Sequence, residues 1–439
     1  MRDLLPEQFL AEAHQAAGVR RNNSLYTTLV VMCLMMAQRL HGGASQEYAV
    51  MELLQILPAS FWPRPSKLVR RWQQYGEGPS GNTAAYNQGR QALPNSVVGQ
   101  SYDHILDQLI ARVDQRGAGE QKRAFVLDGS SVRTAHTARL CELYPPGSNQ
   151  HGQTHWPVLR MLVAHDLYTG LAMRPEWGAM YGDNAVSEQK LLERAVDRLP
   201  AGSTVLGDSN FGVFSVAWAV HQRGHPLLLR LTTERAKRLA GEPLRDGIDR
   251  AVVWRPSSAD RRAHPDLPAD ACVRGRLIVR QVQPDNGAAP FLLALFTDME
   301  GPQQAILELY GQRWNIETDL RTLKTELRLD QLTCATPDMV SKEIEIALAA
   351  YNLVRAMIVT ASQQSGVAPR RYSFTRVRII LEAFAPALAN APDPEAARKI
   401  HAQMMRYIHQ AKLPRRNRKR PSYPREVWGG GEKFPSRKT

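Results

Sequence analysis

Cysteine is scarce in this chain. Cys33, Cys141, Cys272 and Cys334 are the only four in 439 residues, and no pair has C-x-x-C spacing. That excludes a disulfide framework and a cysteine zinc site, and it reads as free thiols in a reducing, cytoplasmic compartment. Long apolar runs are missing too. The most apolar one, residues 25–37, falls short of the roughly 20 residues that cross a bilayer, and no small-residue cleavage site follows a basic leader. It reads as a buried helix, with no membrane partner implied. The one glycine cluster, Gly429, Gly430 and Gly431, has neither a following helix nor a P-loop lysine, so no nucleotide cofactor is implied. His151, His155 and His165 lack the cysteine or fourth-ligand spacing of a metal site and read as loop and core residues. No internal repeat is present. Acidic residues are in deficit, 42 against 56 Lys and Arg, which leaves a formal net charge of +14 and a pI near 9.8. An excess of that size favours a polyanionic partner, with nucleic acid first among them.

Against these absences one stretch carries an ordered set of functional groups. Residues 310–324, YGQRWNIETDLRTLK, read as a helix at roughly 100° per residue, put Tyr310, Arg313, Glu317 and Lys324 within an arc of about 60°. Ile316, Leu320, Leu323 and Leu327 form an apolar stripe beside that arc. The pattern predicts one helix that buries its leucines and aims a carboxylate, two cations and a phenol along the edge of the buried face. Upstream, Asp128 and Asp208 each end a short apolar run directly and precede a small residue, Gly129 and Ser209. Carboxylates at neighbouring strand ends, joined by a third on a helix, are hard oxygen ligands suited to Mg²⁺, with Mn²⁺ able to substitute. Two such ions can serve an in-line phosphoryl transfer in which the protein supplies position and charge. Asp128, Asp208 and Glu317 are therefore the candidate catalytic and metal residues. A tyrosine recombinase built on Tyr310 would call for an Arg/His cluster in place of two strand-end aspartates.

The composition divides the chain. Residues 1–118 read as a helical N-terminal DNA-binding domain, in which Arg70 and Arg71, with Arg20, Arg21, Lys67 and Arg90, are candidates to face phosphates. Residues 119–232 alternate apolar runs with amphipathic segments, including a hairpin turning at Tyr168, Thr169 and Gly170 and a polar excursion over 145–153, and so predict a mixed α/β sheet. Residues 233–290 shift to Arg, Pro, Asp and Gly with scattered short strands and read as a β-rich insertion. The α/β pattern resumes over 291–365. Residues 366–439 read as a helical C-terminal region ending in a basic tail, where Arg415, Arg416, Arg418, Lys419 and Arg420 are candidate DNA contacts.

Together these residues resemble a known family. Tyr310, Arg313, Glu317 and Lys324 match Y-x2-R-x3-E-x6-K in full, which is similar to the signature of bacterial DDE transposases of the IS-four insertion-sequence family. Asp128-Gly129-Ser130-Ser131-Val132 resembles its first aspartate motif, Gly207-Asp208-Ser209-Asn210-Phe211 its second, and residues 420–425 its C-terminal ends. The resemblance covers residues 125–425. It implies a ribonuclease H-like core interrupted by a β-rich insertion, metal ligation by Asp128, Asp208 and Glu317, and phosphate contacts from Tyr310, Arg313 and Lys324. The implied activity is binding of inverted-repeat ends, metal-dependent cleavage, and transfer of 3′ ends to target DNA by a homodimeric synaptic complex associated with the nucleoid. Two departures stand out: Ser209 occupies a position where many relatives carry arginine, and Leu293 one where hairpin-forming members carry a tryptophan that holds a flipped base, Phe291 and Trp254 being the substitutes at hand. The alternatives are a ribonuclease H-like nuclease without strand transfer, and a non-catalytic repressor derived from a transposase.

Overall fold

The computed structural model describes residues 3–21, 24–56, 61–113, 123–149, 152–284 and 289–414, so the tail from Arg415 lies outside the described residues. Six helices come first: α1 (Glu7–Ala16), α2 (Thr28–Leu40), α3 (Gln46–Ile56), α4 (Lys67–Tyr75), α5 (Ala84–Ala92) and α6 (Asn95–Val113). The apolar run seen in the sequence is α2, started by Thr27, whose side chain accepts from the Val30 N–H. It is buried nearly all round, as a helix without a polar face must be.

A mixed sheet follows. In chain order it comprises β1 (Ala124–Arg133), α7 (Ala138–Leu143), β2 (Pro146–Asn149), β3 (Gly152–Asp166), β4 (Glu176–Ala179), α8 (Glu188–Val196), β5 (Thr204–Gly207), α9 (Phe214–Gln222) and β6 (Leu227–Arg230). Next come α10 (Thr233–Ala240), β7 (Asp249–Trp254), α11 (Ser258–Ala263), β8 (Val273–Val282) and β9 (Phe291–Thr297). The strand order is β2-β3-β1-β5-β6-β9-β8-β7, with β4 also on β3. β1, β5 and β6 run parallel, and the other pairs are antiparallel. The parallel interior strands are short apolar runs buried on both faces. The sheet departs from the sequence pattern at one place. The polar stretch 145–153 is no excursion: β2 pairs with the start of β3. The described residues of 233–290 hold two strands and two short helices, and β8 pairs with β9, which pairs with β6, so these strands extend the main sheet.

The helix predicted over 310–324 is broken. α12 (Gln303–Gly311) ends at Gly311, a 3₁₀ turn spans Gln312–Trp314, and α13 (Asn315–Thr325) begins afterwards. Gly311, a weak helix former, stands at the break, while the apolar spacing runs on through it. α14 (Pro337–Ser365), α15 (Phe374–Ala389) and α16 (Pro394–Gln410) complete the chain. α14 has the length and apolarity of a membrane-crossing helix, yet 78% of its most apolar window is buried inside the protein, the property of a core helix.

α14 is also where buried polar groups converge. Glu343 accepts from Arg39 Nε at 2.8 Å and from Arg90, tying α2 and α5 to it. Burial pushes that carboxyl up, but the two guanidiniums hold it below its ordinary value. Glu345 takes Arg174 at 2.7 Å, and Asn352 clamps the Ala172 backbone, accepting from its N–H and donating to its carbonyl, each at 2.8 Å. Tyr351 donates to Asp319 of α13 at 3.0 Å, and Arg355 binds the same carboxylate. Arg370 grips both Asp319 oxygens at 2.7 Å and donates to the carbonyls of Asp166 and Leu167 at the end of β3. Asp319 is fully buried, and against the burial penalty Arg355 and Arg370 hold its pKa below the carboxylate norm.

His165 lies 3.8 Å from this carboxylate, fully enclosed. Burial lowers its pKa to about 4, with Asp319 opposing and Arg370 adding to the shift. Its Nε2 has no partner, so a proton added there would be buried without an acceptor.

These buried charges make the fold sensitive to pH and to truncation. His165 unfolds to an ordinary imidazole of pKa 6.5, so the unfolded chain takes up the extra proton between pH 6.5 and about 4. Its contribution to stability is therefore whole above pH 6.5 and declines to a floor below about 4, by on the order of 3 kcal/mol. Urea titrations of His165→Gln should show a flatter decline across that window than wild type. Glu343→Ala leaves Arg39 and Arg90 buried without their anion and should cost about 3–5 kcal/mol in the same assay, whereas substituting the exposed Glu395 should cost well under 1 kcal/mol.

Candidate functional site

β1 and β5 bring the two aspartates side by side. Their parallel ladder pairs Ala124 with Thr204 and Val126 with Leu206, and two residues further along each chain stand Asp128 and Asp208. The Gly129 N–H donates to Asp128 Oδ1 at 2.8 Å. Burial pushes the Asp128 carboxyl up to about 6, with the Asp208 and Glu188 charges adding and the Gly129 N–H and Arg313 opposing. After Asp208 the chain folds tightly onto its own carboxylate. Asn210 N–H donates to Oδ1 at 2.9 Å, and the N–H groups of Phe211 and Gly212 reach the Asp208 carbonyl at 3.1 Å. Phe211 is buried under this turn, and Gly212 lies so close to the Arg230 carbonyl that a Cβ would collide with it. Arg235 Nη1 donates to the Ser209 carbonyl at 3.0 Å, holding the turn from the β6 side.

The broken helix delivers the other predicted residues. Tyr310 in the last turn of α12 is buried, with the Arg313 guanidinium beside its hydroxyl. Burial pushes that phenol up to about 12, while Arg313, Arg230 and Asp208 act on it electrostatically. Arg313, in the 3₁₀ turn, reaches Glu317 of α13 at 3.4 Å and also acts on Asp128. Arg313 therefore stands between the aspartate pair and the glutamate, with Tyr310 beside them. Glu317 is half-buried and paired with Arg313. Among the described residues no group of three or more His, Cys, Asp or Glu side chains is gathered closely enough to hold a metal ion. The structure thus joins Asp128 with Asp208 directly and Glu317 only through Arg313.

Lys324 is half-buried in the last turn of α13. Arg70 and Arg71 are exposed on α4, Arg71 with Glu77 at 2.5 Å. Arg415, Arg416, Arg418, Lys419 and Arg420 lie outside the described residues, as does His151. His155 stacks on His136 with ring centroids 4.4 Å apart. Trp254 packs between Phe214 and Phe296, whereas Phe291 is exposed under the Arg230 guanidinium, 5.6 Å from the ring centroid.

Two residues of the site escaped the sequence. Arg230 closes β6 and acts electrostatically on Tyr310, and its only signal was a charge at the end of an apolar strand. Glu188 opens α8, where Ser187 caps the helix by accepting from Lys190 N–H at 3.2 Å, so an acid at that point reads as first-turn helix chemistry. Its carboxylate instead turns to the site, accepting from Asn210 Nδ2 at 2.5 Å and lying against Gly129.

The model of the family described as "Transposase DDE domain" matches residues 119–353, more than half the chain. Transposase InsG for insertion sequence element IS4 of Escherichia coli (strain K12) is 26% identical over 329 residues, 71% of this chain and 69% of that protein. A piggyBac transposase, solved by cryo-electron microscopy as a synaptic complex with hairpin DNA, superposes with a TM-score of 0.43 at 10% identity, covering 94% of this chain and 84% of that one. By the span of the family match and the kinship with that insertion-sequence enzyme, the chain belongs to the IS4-type DDE transposases.

Proposed function

We propose that the protein binds the inverted-repeat ends of its own insertion sequence, cleaves there by metal-dependent phosphodiester hydrolysis, and joins the freed 3′ ends to target DNA. The reading rests on a ribonuclease H-like core, for which the support is the antiparallel β4-β3-β1 edge continued by parallel β5 and β6. The observation that carries it is the pairing of Asp128 and Asp208 at adjacent parallel strands, with Glu317 brought to the same edge through Arg313.

The donor set fits a hard divalent cation. All three groups are carboxylates, and burial with the Asp208 and Glu188 charges outweighs the Gly129 N–H and Arg313 at Asp128, so its pKa is pushed up and its anion would gain from a cation. Asp128, Asp208 and Glu317 would hold Mg²⁺ or Mn²⁺, which would supply charge stabilisation at the attacking and leaving oxygens. The chain's own residues do the positioning. Arg313 presents a guanidinium fork beside the aspartates and can exchange its 3.4 Å contact with Glu317 for two parallel bonds to a phosphate. The buried Tyr310 hydroxyl, beside Arg313, would donate its proton to a phosphate oxygen reaching the site. Lys324, in the last turn of α13, would meet a more distant phosphate. The N-terminal helices, with Arg70 and Arg71, and the basic tail contribute sequence-independent DNA affinity. Pairing two ends in one synaptic complex calls for a homodimer.

Two measurements test this reading. Wild-type protein given Mg²⁺ and a plasmid carrying the DNA that flanks its gene should nick and join ends, and Glu317→Gln should bind the same DNA while losing at least about 10³-fold in cleavage. Equal cutting by both proteins would remove Glu317 from the site. Cutting without joining would leave a nuclease, and binding without cutting by wild type would leave a repressor. DNA affinity should drop by about 10³-fold or more between roughly 50 and 200 mM salt if six or more phosphates are neutralised. A flat salt dependence would rule out the electrostatic role assigned to the basic residues.

A further inference from the structure

Glu188 has no place in the three-carboxylate reading, yet the structure builds it into the same site. α8 packs against β1, β3 and β4, which fixes the first residue of that helix over the sheet edge. From there one carboxylate oxygen accepts the Asn210 side-chain amide at 2.5 Å. The next residue, Gln189, donates to both the carbonyl and the side-chain oxygen of Asn210 at 2.9 Å, orienting that amide so that its NH₂ faces Glu188. Asn210 is the residue whose backbone N–H holds Asp208 Oδ1. The other end of the bridge is Gly129: any Cβ there would collide with the Glu188 carboxyl, so glycine at this position gives the acid its seat against β1 directly after Asp128. Glu188 thus touches both aspartate motifs, one through a hydrogen bond and the other through contact with the backbone.

We propose that Glu188 is a positioning residue that sets the spacing of Asp128 and Asp208 by bracing the Asn210 turn against Gly129. The proposal rests on the functional reading above. Its content is that the bond and the fit matter more than the charge, which also acts on Asp128. Such support of a metal-binding constellation from the surrounding residues changes metal affinity by about 10–100-fold when removed.

The test is calorimetric titration of the full chain with Mn²⁺ alone, with plasmid cleavage as a second readout. Glu188→Ala and Asn210→Ala should each weaken Mn²⁺ binding about tenfold or more, and the double variant should be no weaker than either one, because both remove the same brace. Glu188→Gln, whose amide oxygen still accepts from Asn210, should restore binding close to wild type. Gly129→Ala, which keeps every charge and displaces Glu188 from its seat, should resemble Glu188→Ala and serves as the deciding variant if the latter misfolds. Equal loss in Glu188→Gln and Glu188→Ala would overturn the proposal by making the charge the relevant property. Full affinity in Glu188→Ala beside lost affinity in Asp208→Ala would overturn it while leaving the site reading intact. Full affinity in Asp208→Ala would remove the metal reading and the bracing role together.

Discussion

A single buried carboxylate does most to hold the molecule in one arrangement. Asp319 has no access to solvent and receives Arg355, Arg370 and the Tyr351 hydroxyl, so that α13, α14 and the end of β3 are fastened at one point. An isolated charge at that depth would be prohibitive, and removing one partner would strand the others. Glu317, the acid of the candidate site, sits two residues earlier on the same helix. Its position is thus set from behind, by a buried ion cluster.

The same logic runs along α14. Glu343, Glu345, Asn352 and Arg355 lie on a helix that otherwise reads as apolar, and each is buried with a partner far away in sequence. An apolar contact is tolerant of small shifts, whereas a bidentate ion pair or a backbone clamp accepts only one geometry. The N-terminal helices, the sheet and the glutamate helix are therefore registered against one common rod, and the aspartate edge inherits that registration through β3 and β1.

Much of this was legible beforehand. Asp128 and Asp208 were visible because each places a charge directly at the end of a short apolar run, where strand packing alone has no use for one. The break between α12 and α13 was hidden, since the apolar spacing continues through Gly311 as if the helix did too. β2 was masked by Pro146 and Gly147, which read as loop residues although an edge position tolerates both. Glu188 was concealed by its own helix start, where an acid after a serine cap already has a sufficient local role. The ion pairs of α14 were not legible because nothing in a local window reveals a partner some 300 positions away, as Arg39 is from Glu343.

That last separation bears on how the chain is made. Arg39 and Arg90 leave the ribosome early, and their shared anion, Glu343, arrives only after the whole sheet has been synthesised. At roughly 5–20 residues per second the two guanidiniums wait many seconds for it. During that interval the N-terminal helices can gather their apolar faces but cannot close their charged floor, and α13, which lacks Arg355 and Arg370, has nothing to lock against. A nascent or prematurely ended chain accordingly lacks both ion clusters, and the fixed positions of α2, α5 and α13 that follow from them, until α14 and Arg370 have emerged.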